Sequence, residues 1–192
     1  MTFRSLAPGF LIASPPLGDP NFDRTVVLVA VHNEDGALGF VVNRASRLVL
    51  GELLELAGYE RGHEDASKVW VGGPVQPQSG WVVSDDPEIT GRGVIAVGQR
   101  LRISSSRAAF DEVARDATEP GDGGVRRLVM LGYSGWGPGQ LESEIARGAW
   151  LPTPLDERVL FDCAAEDRWE RAYALVGLTP GNMISMRTVG EA

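Results

Sequence analysis

The chain is short of the residues on which disulfide, metal and secretory designs depend. It has one cysteine, Cys163, so no intrachain disulfide can form. With only two histidines, His32 and His63, no metal-ligand spacing arises, and no metal or cofactor is expected. Lysine is almost absent: Lys68 is the only one among 18 basic residues. Acids number 26, leaving a net charge of −8, which argues against non-specific binding to nucleic acid or to an anionic membrane surface. Long apolar runs are missing too. The longest, Val26 to Val31, falls far short of the ~20 residues a membrane helix needs. The start, Met1 to Phe10, holds one arginine and no apolar run of signal-peptide length. No membrane association is expected.

What is present is globular. At 192 residues, 43% hydrophobic and 23% charged, one domain spanning residues 1–192 is the expectation. Gly9 to Ser14 reads as an extended run, followed by a loop rich in turn formers from Gly18 to Asn21. Thr25 to His32 and Ala37 to Val42 read as a hairpin across Asn33-Glu34-Asp35-Gly36. Leu50, Leu53, Leu54 and Ala57 have helical spacing, with Gly58 as terminator. Strands are expected at Val69–Val71, Gly80–Val83, Val94–Val97 and Arg126–Tyr133, and Asp85-Asp86-Pro87 reads as an exposed turn. A helix capped from Ser104 to Ser106 presents Phe110, Val113, Ala114 and Ala117. Another helix runs from Gln140 to Arg147, with Pro138 suited to a first helical position. Val159–Phe161 reads as a strand, Asp162 as the cap of a helix carrying Trp169, Ala172, Tyr173 and Val176, and Met183–Met186 as a last strand. Helices interspersed among mostly antiparallel strands, without a regular βαβ series, make an α+β class with flanking helices.

Four segments carry a resemblance. They are Gly9-Phe10-Leu11-Ile12-Ala13 running to Asp19-Pro20-Asn21-Phe22-Asp23-Arg24-Thr25; His32 to Gly39 with Asn43-Arg44; Gly72-Gly73-Pro74-Val75-Gln76; and Leu131 to Glu142, which includes Gly135-Trp136-Gly137-Pro138-Gly139-Gln140. In this order and spacing, from about Leu6 to about Met186, the chain resembles the YqgE/AlgH family of bacterial proteins of largely unassigned function. The resemblance implies a cytoplasmic mixed α/β domain whose largely antiparallel sheet folds toward an irregular barrel. It also implies a link to transcriptional regulation in some members, and it brings no catalytic set.

Gly132-Tyr133-Ser134-Gly135 is a near miss to the nucleophile-elbow pattern, since Trp136 holds the final glycine's place. Alanine is common in the family where Ser134 stands, which favours a small residue at a crowded turn. The glycines at 135, 137 and 139 precede a helix but lack a phosphate-loop ending. A pair such as Asp19–Arg24 would clamp the loop before the buried strand; on the functional reading Arg24 receives an anion. Asn43, Gln76 and Gln140 are amides near strand ends, suited to hydrogen-bonded recognition of a small polar ligand or a peptide backbone. Asp19, Arg24, Asn43, Gln76 and Gln140 are therefore the candidate binding residues, and none is assigned a catalytic role.

The reading that results is a regulatory or accessory protein acting through a small ligand or an unknown protein partner. One rival is a hydrolase-like enzyme using Asp19 and Arg24. Another is a specific nucleic-acid binder with a basic face of Arg100, Arg102, Arg107, Arg126 and Arg127.

Overall fold

The computed structural model describes residues 4–15, 17–59, 65–118 and 124–181. In chain order the elements are β1 (Gly9–Ala13), β2 (Val26–Asn33), β3 (Gly36–Val41), β4 (Ala45–Val49), α1 (Leu50–Leu56), β5 (Lys68–Val71), β6 (Val75–Ser84), β7 (Ile95–Val97), β8 (Leu101–Ser104), α2 (Arg107–Thr118), β9 (Arg127–Trp136), α3 (Gln140–Ala146), β10 (Trp150–Pro154), α4 (Glu157–Phe161) and α5 (Arg168–Ala174). The class is mixed α+β. Among the described residues the strands pair antiparallel except β5, which runs parallel to β9. The expected strand at Met183–Met186 and His63 lie outside the described residues. Two compact units form: the described parts of residues 1–44 and 134–192, and those of residues 45–133. In each unit the strand order is an open path, so the sheet does not close into a barrel.

In the first unit the order is β10-β1-β2-β3, followed by the last three residues of β9. Phe10, Leu11, Ile12 and Ala13 of β1 are 1% exposed or less. That burial on both faces explains the unbroken apolar run, since alternation is needed only where one face meets water. One face packs Leu11, Ala13, Val27 and Val29 against Trp136, Leu141 and Trp150. Helix α5 lies on β1 and β2, where the Trp169 indole and the Tyr173 hydroxyl both donate to the Ala13 carbonyl, at 2.9 and 3.2 Å. The buried Arg168 guanidinium donates to the carbonyls of Cys163 and Val42, which ties the start of α5 to the end of β3. At the β2–β3 hairpin the turn residues are Glu34 and Asp35, and Gly36 already pairs with Asn33. Gly36 has φ +129°, and a Cβ there would collide with the Trp136 carbonyl oxygen. Glycine is required there for two reasons, backbone angle and space.

In the second unit the order is β7-β8-β6, then the first part of β9, then β5 and β4. Helices α1 and α2 share a core with this sheet through Leu50, Leu54, Val113, Ala114, Val69, Val82 and Val129. Helix α1 ends as its sequence predicts. The Tyr59 N–H donates to Leu54 and the Gly58 N–H to Glu55, each at 3.0 Å, with Gly58 left-handed at φ +84°.

Several expectations are corrected. Val159 to Phe161 belong to helix α4, not a strand. Asp156 caps it, accepting the Arg158 N–H at 3.0 Å, and β-branched content loses to that local signal. Helix α5 starts after Asp167, and Asp162 instead ends α4. Strand β9 runs on through Trp136, so Ser134 sits inside a strand opposite Gly39, 1% exposed, rather than on a turn. Pro138 precedes the helix instead of opening it, because left-handed Gly139 holds the cap position. Strands β4, β8 and β10 were not anticipated. β10 hides behind Pro152 and Pro154, whose missing N–H groups are tolerated because β10 pairs only with β1 and so lies at the sheet's edge.

Asp85 is also corrected. Its side chain is 4% exposed, not on a solvated turn. It accepts the Arg126 backbone N–H and Nε–H, both at 2.7 Å, with Arg100 3.9 Å away. Burial alone would raise its pKa, but the Arg126 contacts and then the Arg100 charge outweigh that and hold the carboxyl below its usual range. A carboxyl with a folded pKa below its unfolded one stabilises the fold above the unfolded value, near pH ~4. That stabilisation is lost as pH falls through the folded value. Asp85→Asn should therefore cost about 1–3 kcal/mol at neutral pH and flatten the acid side of the stability curve. Urea melts across the acid range check this, and parallel curves for the two proteins would refute it.

Candidate functional site

Of the five residues singled out from sequence, Asp19, Arg24, Asn43 and Gln140 belong to the first unit, where Arg24 and Asn43 are joined, and Gln76 belongs to the second. The Asp19 carboxylate accepts the Asn21 N–H at 2.8 Å. Arg24 has a left-handed backbone, φ +51°, and its guanidinium lies 4.8 Å from the Trp169 ring centre and 3.7 Å from Glu170. Its ion pair is thus with Glu170, not with Asp19. The loop clamp is Arg44, which donates to the carbonyls of Pro20, Asn21 and Asp23 at 3.1, 2.7 and 3.3 Å. Asn43 joins Arg24 through the backbone. Its oxygen accepts the Val26 N–H at 2.9 Å and its amide donates to the Arg24 carbonyl at 2.8 Å.

Gln140 belongs to a different cluster of the same unit. It donates to Glu144 at 2.9 Å and accepts the Gly137 N–H at 3.0 Å. One Glu144 oxygen also accepts both indole N–H groups of Trp136 and Trp150, at 2.9 and 2.8 Å, which satisfies two donors that burial would otherwise strand. Phe22 stacks on Trp136 and meets Trp150 edge-on. His32 is likewise held: its Nδ1 accepts the Leu6 N–H at 3.0 Å, so Nε2 carries the proton toward Glu142, also at 3.0 Å. Cys163 is half-buried, and burial pushes its thiol up, away from a reactive thiolate. Among the described residues no group of three or more His, Cys, Asp or Glu is arranged to hold a metal.

Gln76 lies in the second unit, beside a cleft of about 750 Å³. Strand β6 builds one wall by bulging. Val75 pairs with Tyr133 and Gly80 with Leu131, so five steps along β6 match two along β9. The bulge carries Gln76, left-handed at φ +45°, and Pro77, which cannot donate to a ladder. Opposite it Gly132 is left-handed at φ +70°, and a Cβ there would stand 2.5 Å from the Gly73 carbonyl oxygen. Pro77, Gln78 and Gly80 line the cleft from β6, Leu53 and Leu56 from α1, and Phe110 from α2.

The mouth carries a polar triad. The Tyr59 hydroxyl donates to Asp111 at 2.7 Å. Arg107 lies 4.1 Å over the Tyr59 ring, 3.1 Å from Asp111, and donates to the Ala57 carbonyl. Burial, then the Asp111 hydrogen bond and charge, push Tyr59 up to about 12. The Tyr59 hydrogen bond foremost, then Arg107, hold the Asp111 carboxyl below its usual range although desolvation pushes the other way. Near neutral pH the phenol stays protonated and the carboxylate ionised, so this pair offers no group poised to exchange a proton. The arrangement suits binding.

Sequence reasoning missed this cleft, and two features of the structure mark it. Leu56 lies off the apolar stripe of α1 and is 75% exposed. Gly80 faces Phe110, where a Cβ would meet the ring at 2.6 Å. Four of the five arginines of the supposed basic face are engaged by carboxylates: Arg100 and Arg126 by Asp85, Arg127 by Asp86 and Asp116, and Arg107 by Asp111.

Comparison with known proteins gives consistent results. The family described as AlgH-like matches residues 10–181. A UPF0301 protein from Anaeromyxobacter sp. strain K is 41% identical over 186 residues, covering 93% of this chain and 92% of its own. One from Xanthomonas campestris is 42% identical over 175 residues, covering 90% of each. The solution structure of the AlgH protein from Pseudomonas aeruginosa superposes with a TM-score of 0.75 at 36% identity, over 98% of this chain and 97% of that one. A Corynebacterium diphtheriae protein shares the fold at 22% identity, with a TM-score of 0.66.

If the mouth is built as described, Tyr59→Phe should move the Asp111 titration up toward the ordinary carboxylate value of ~3.9. Carbon NMR of the carboxyl group reads this directly. An unchanged Asp111 titration would contradict the hydrogen bond's role.

Proposed function

This chain belongs to the AlgH-like family, and from that premise we propose that it is a non-enzymatic regulatory or accessory protein acting through a ligand or partner held in the α1–α2 cleft. The observation that carries this is the cleft itself: about 750 Å³, apolar in its walls, with a few convergent polar groups at the mouth. The chemistry supports binding over catalysis. Ser134 is buried within a strand, His32 is held by Leu6 and Glu142, and the Tyr59 hydroxyl is shifted away from neutral pH. Asp19 and Arg24, the residues a hydrolase reading needs, hold separate partners. A part in transcriptional regulation would run through a protein or ligand rather than through direct nucleic-acid contact, since the chain carries −8 and most of its candidate basic face is paired with acids. A cytoplasmic location fits this role; among the described residues no helix is long and apolar enough to cross a membrane.

The test uses N-phenyl-1-naphthylamine, an uncharged dye that fluoresces in apolar sites. It should bind the protein, and Ala57→Trp, which places an indole at the exposed mouth without touching the core, should weaken binding by about tenfold or more. Dye binding that ignores Ala57→Trp, with the fold intact by circular dichroism, would remove the cleft reading.

A further inference from the structure

Residues 4–8 precede β1 as a strap on the first unit, where Leu6 and Ala7 pack on the apolar cluster that includes Leu11, Val27, Trp136 and Leu141. The strap lies close to β1: a Cβ on Gly9 would stand 2.5 Å from the Leu6 carbonyl oxygen. Two hydrogen bonds tie it to β2, and both reach His32. The Ser5 hydroxyl donates to the His32 carbonyl at 2.9 Å, and the Leu6 N–H donates to His32 Nδ1 at 3.0 Å. The second bond depends on the charge of the ring. A neutral imidazole has one acceptor nitrogen, and an imidazolium has none. The His32 side chain is 2% exposed, so water cannot readily replace the lost contact. Glu142 of α3 faces Nε2 at 3.0 Å, and its own side chain is 46% exposed. Opposite His32 on β3 stands the uncharged Ala37. The turn after β2 holds Glu34 and Asp35, and the strap carries Arg4; all three are exposed. A proton arriving at Nδ1 therefore has the Glu142 carboxylate in its favour and the Leu6 N–H against it, since two donors would then face each other.

We infer that residues 4–8 are a pH-sensitive strap, held to the first unit while His32 is neutral and released when Nδ1 takes up a proton. Glu142 stabilises the imidazolium that results, so the ring keeps its place while the strap moves. Release uncovers the apolar cluster beneath Leu6 and Ala7, and histidine is the side chain suited to such a change near neutral pH. Only the released state accommodates the proton, so attachment is favoured at higher pH and lost as pH falls. One coupled proton changes the ratio of the two states by up to about tenfold per pH unit. The device lies in the first unit and stands apart from the α1–α2 cleft, which belongs to the second.

Amide hydrogen exchange on the whole chain tests this, read from about pH 8 to about pH 5 and corrected for the intrinsic pH dependence of exchange. The Leu6 amide should lose about tenfold or more of its protection across that range. The Val26 amide, whose N–H goes to the Asn43 oxygen, reports on the unit as a whole and should keep its protection. His32→Asn retains an oxygen to accept the Leu6 N–H but cannot take up the proton, so its Leu6 protection should stay level. If His32→Asn fails to fold, Glu142→Gln serves instead. Without the carboxylate the imidazolium is less favoured, and the loss of Leu6 protection should move to lower pH. Nitrogen NMR of the His32 ring at the upper pH should show Nδ1 unprotonated. The inference is overturned if Nδ1 carries the proton there, if Leu6 protection does not change with pH, or if Val26 loses protection together with Leu6. It is equally overturned if the fall persists in His32→Asn or stays at the same pH in Glu142→Gln.

Discussion

The backbone at Gly132 sets the geometry on which the cleft depends. At φ +70° the residue is in the left-handed region, the Gly73 carbonyl oxygen approaches it more closely than a Cβ would allow, and the Val75 carbonyl and Pro77 backbone crowd the same spot. With β9 bent there and Pro77 unable to donate, β6 loses register and regains it only at Gly80. The three extra residues have to go somewhere, and they rise as the wall facing α1 and α2. Phe110 then reaches over Gly80, where the lack of a Cβ leaves room for its ring. The cleft is therefore a consequence of sheet irregularity. Bulges of this kind are common where a sheet has to aim side chains or end pairing.

The first unit is organised by a different rule, the satisfaction of buried indole and guanidinium donors. Trp136, Trp150 and Trp169 are 3–7% exposed, yet each indole N–H finds an oxygen: Glu144 for two and the Ala13 carbonyl for the third. Arg168, 4% exposed, is handled in the same way by backbone carbonyls. Asn43, Arg44 and Gln140 follow the pattern at the surface, each holding backbone or a neighbouring side chain. Residues that look like recognition groups in sequence act in this unit as fasteners.

Much of the fold was legible because its signals are local. The hairpin around Gly36, the Gly58 terminus of α1 and the apolar stripe of α2 depend on spacing and on one or two residues with special backbone angles. The misreadings came where tertiary context decided. Val159-Leu160-Phe161 looks like a strand until Asp156 is recognised as a cap, and β10 looks like a loop until its prolines are placed on a free edge. Asp85 looked solvated because its partner, Arg126, is 41 residues away. The AlgH-like family was legible because its four motifs are contiguous. The cleft was not, because Leu56, Tyr59, Pro77 and Phe110 meet only after a bulge that no periodicity reveals. Gln76 came nearest, sitting on that bulge, although its amide was the reason for choosing it and its backbone angle is what the structure uses.

The central claim is that the α1–α2 cleft is where this protein holds its ligand or partner. The most direct test replaces Ala57 with a photo-crosslinking amino acid in the cells the chain comes from, with the same replacement at exposed Glu34 as reference. The residues joined to each position are then sequenced. The expected result is crosslinking from position 57 but not 34. Crosslinks equally frequent from both positions would contradict the account.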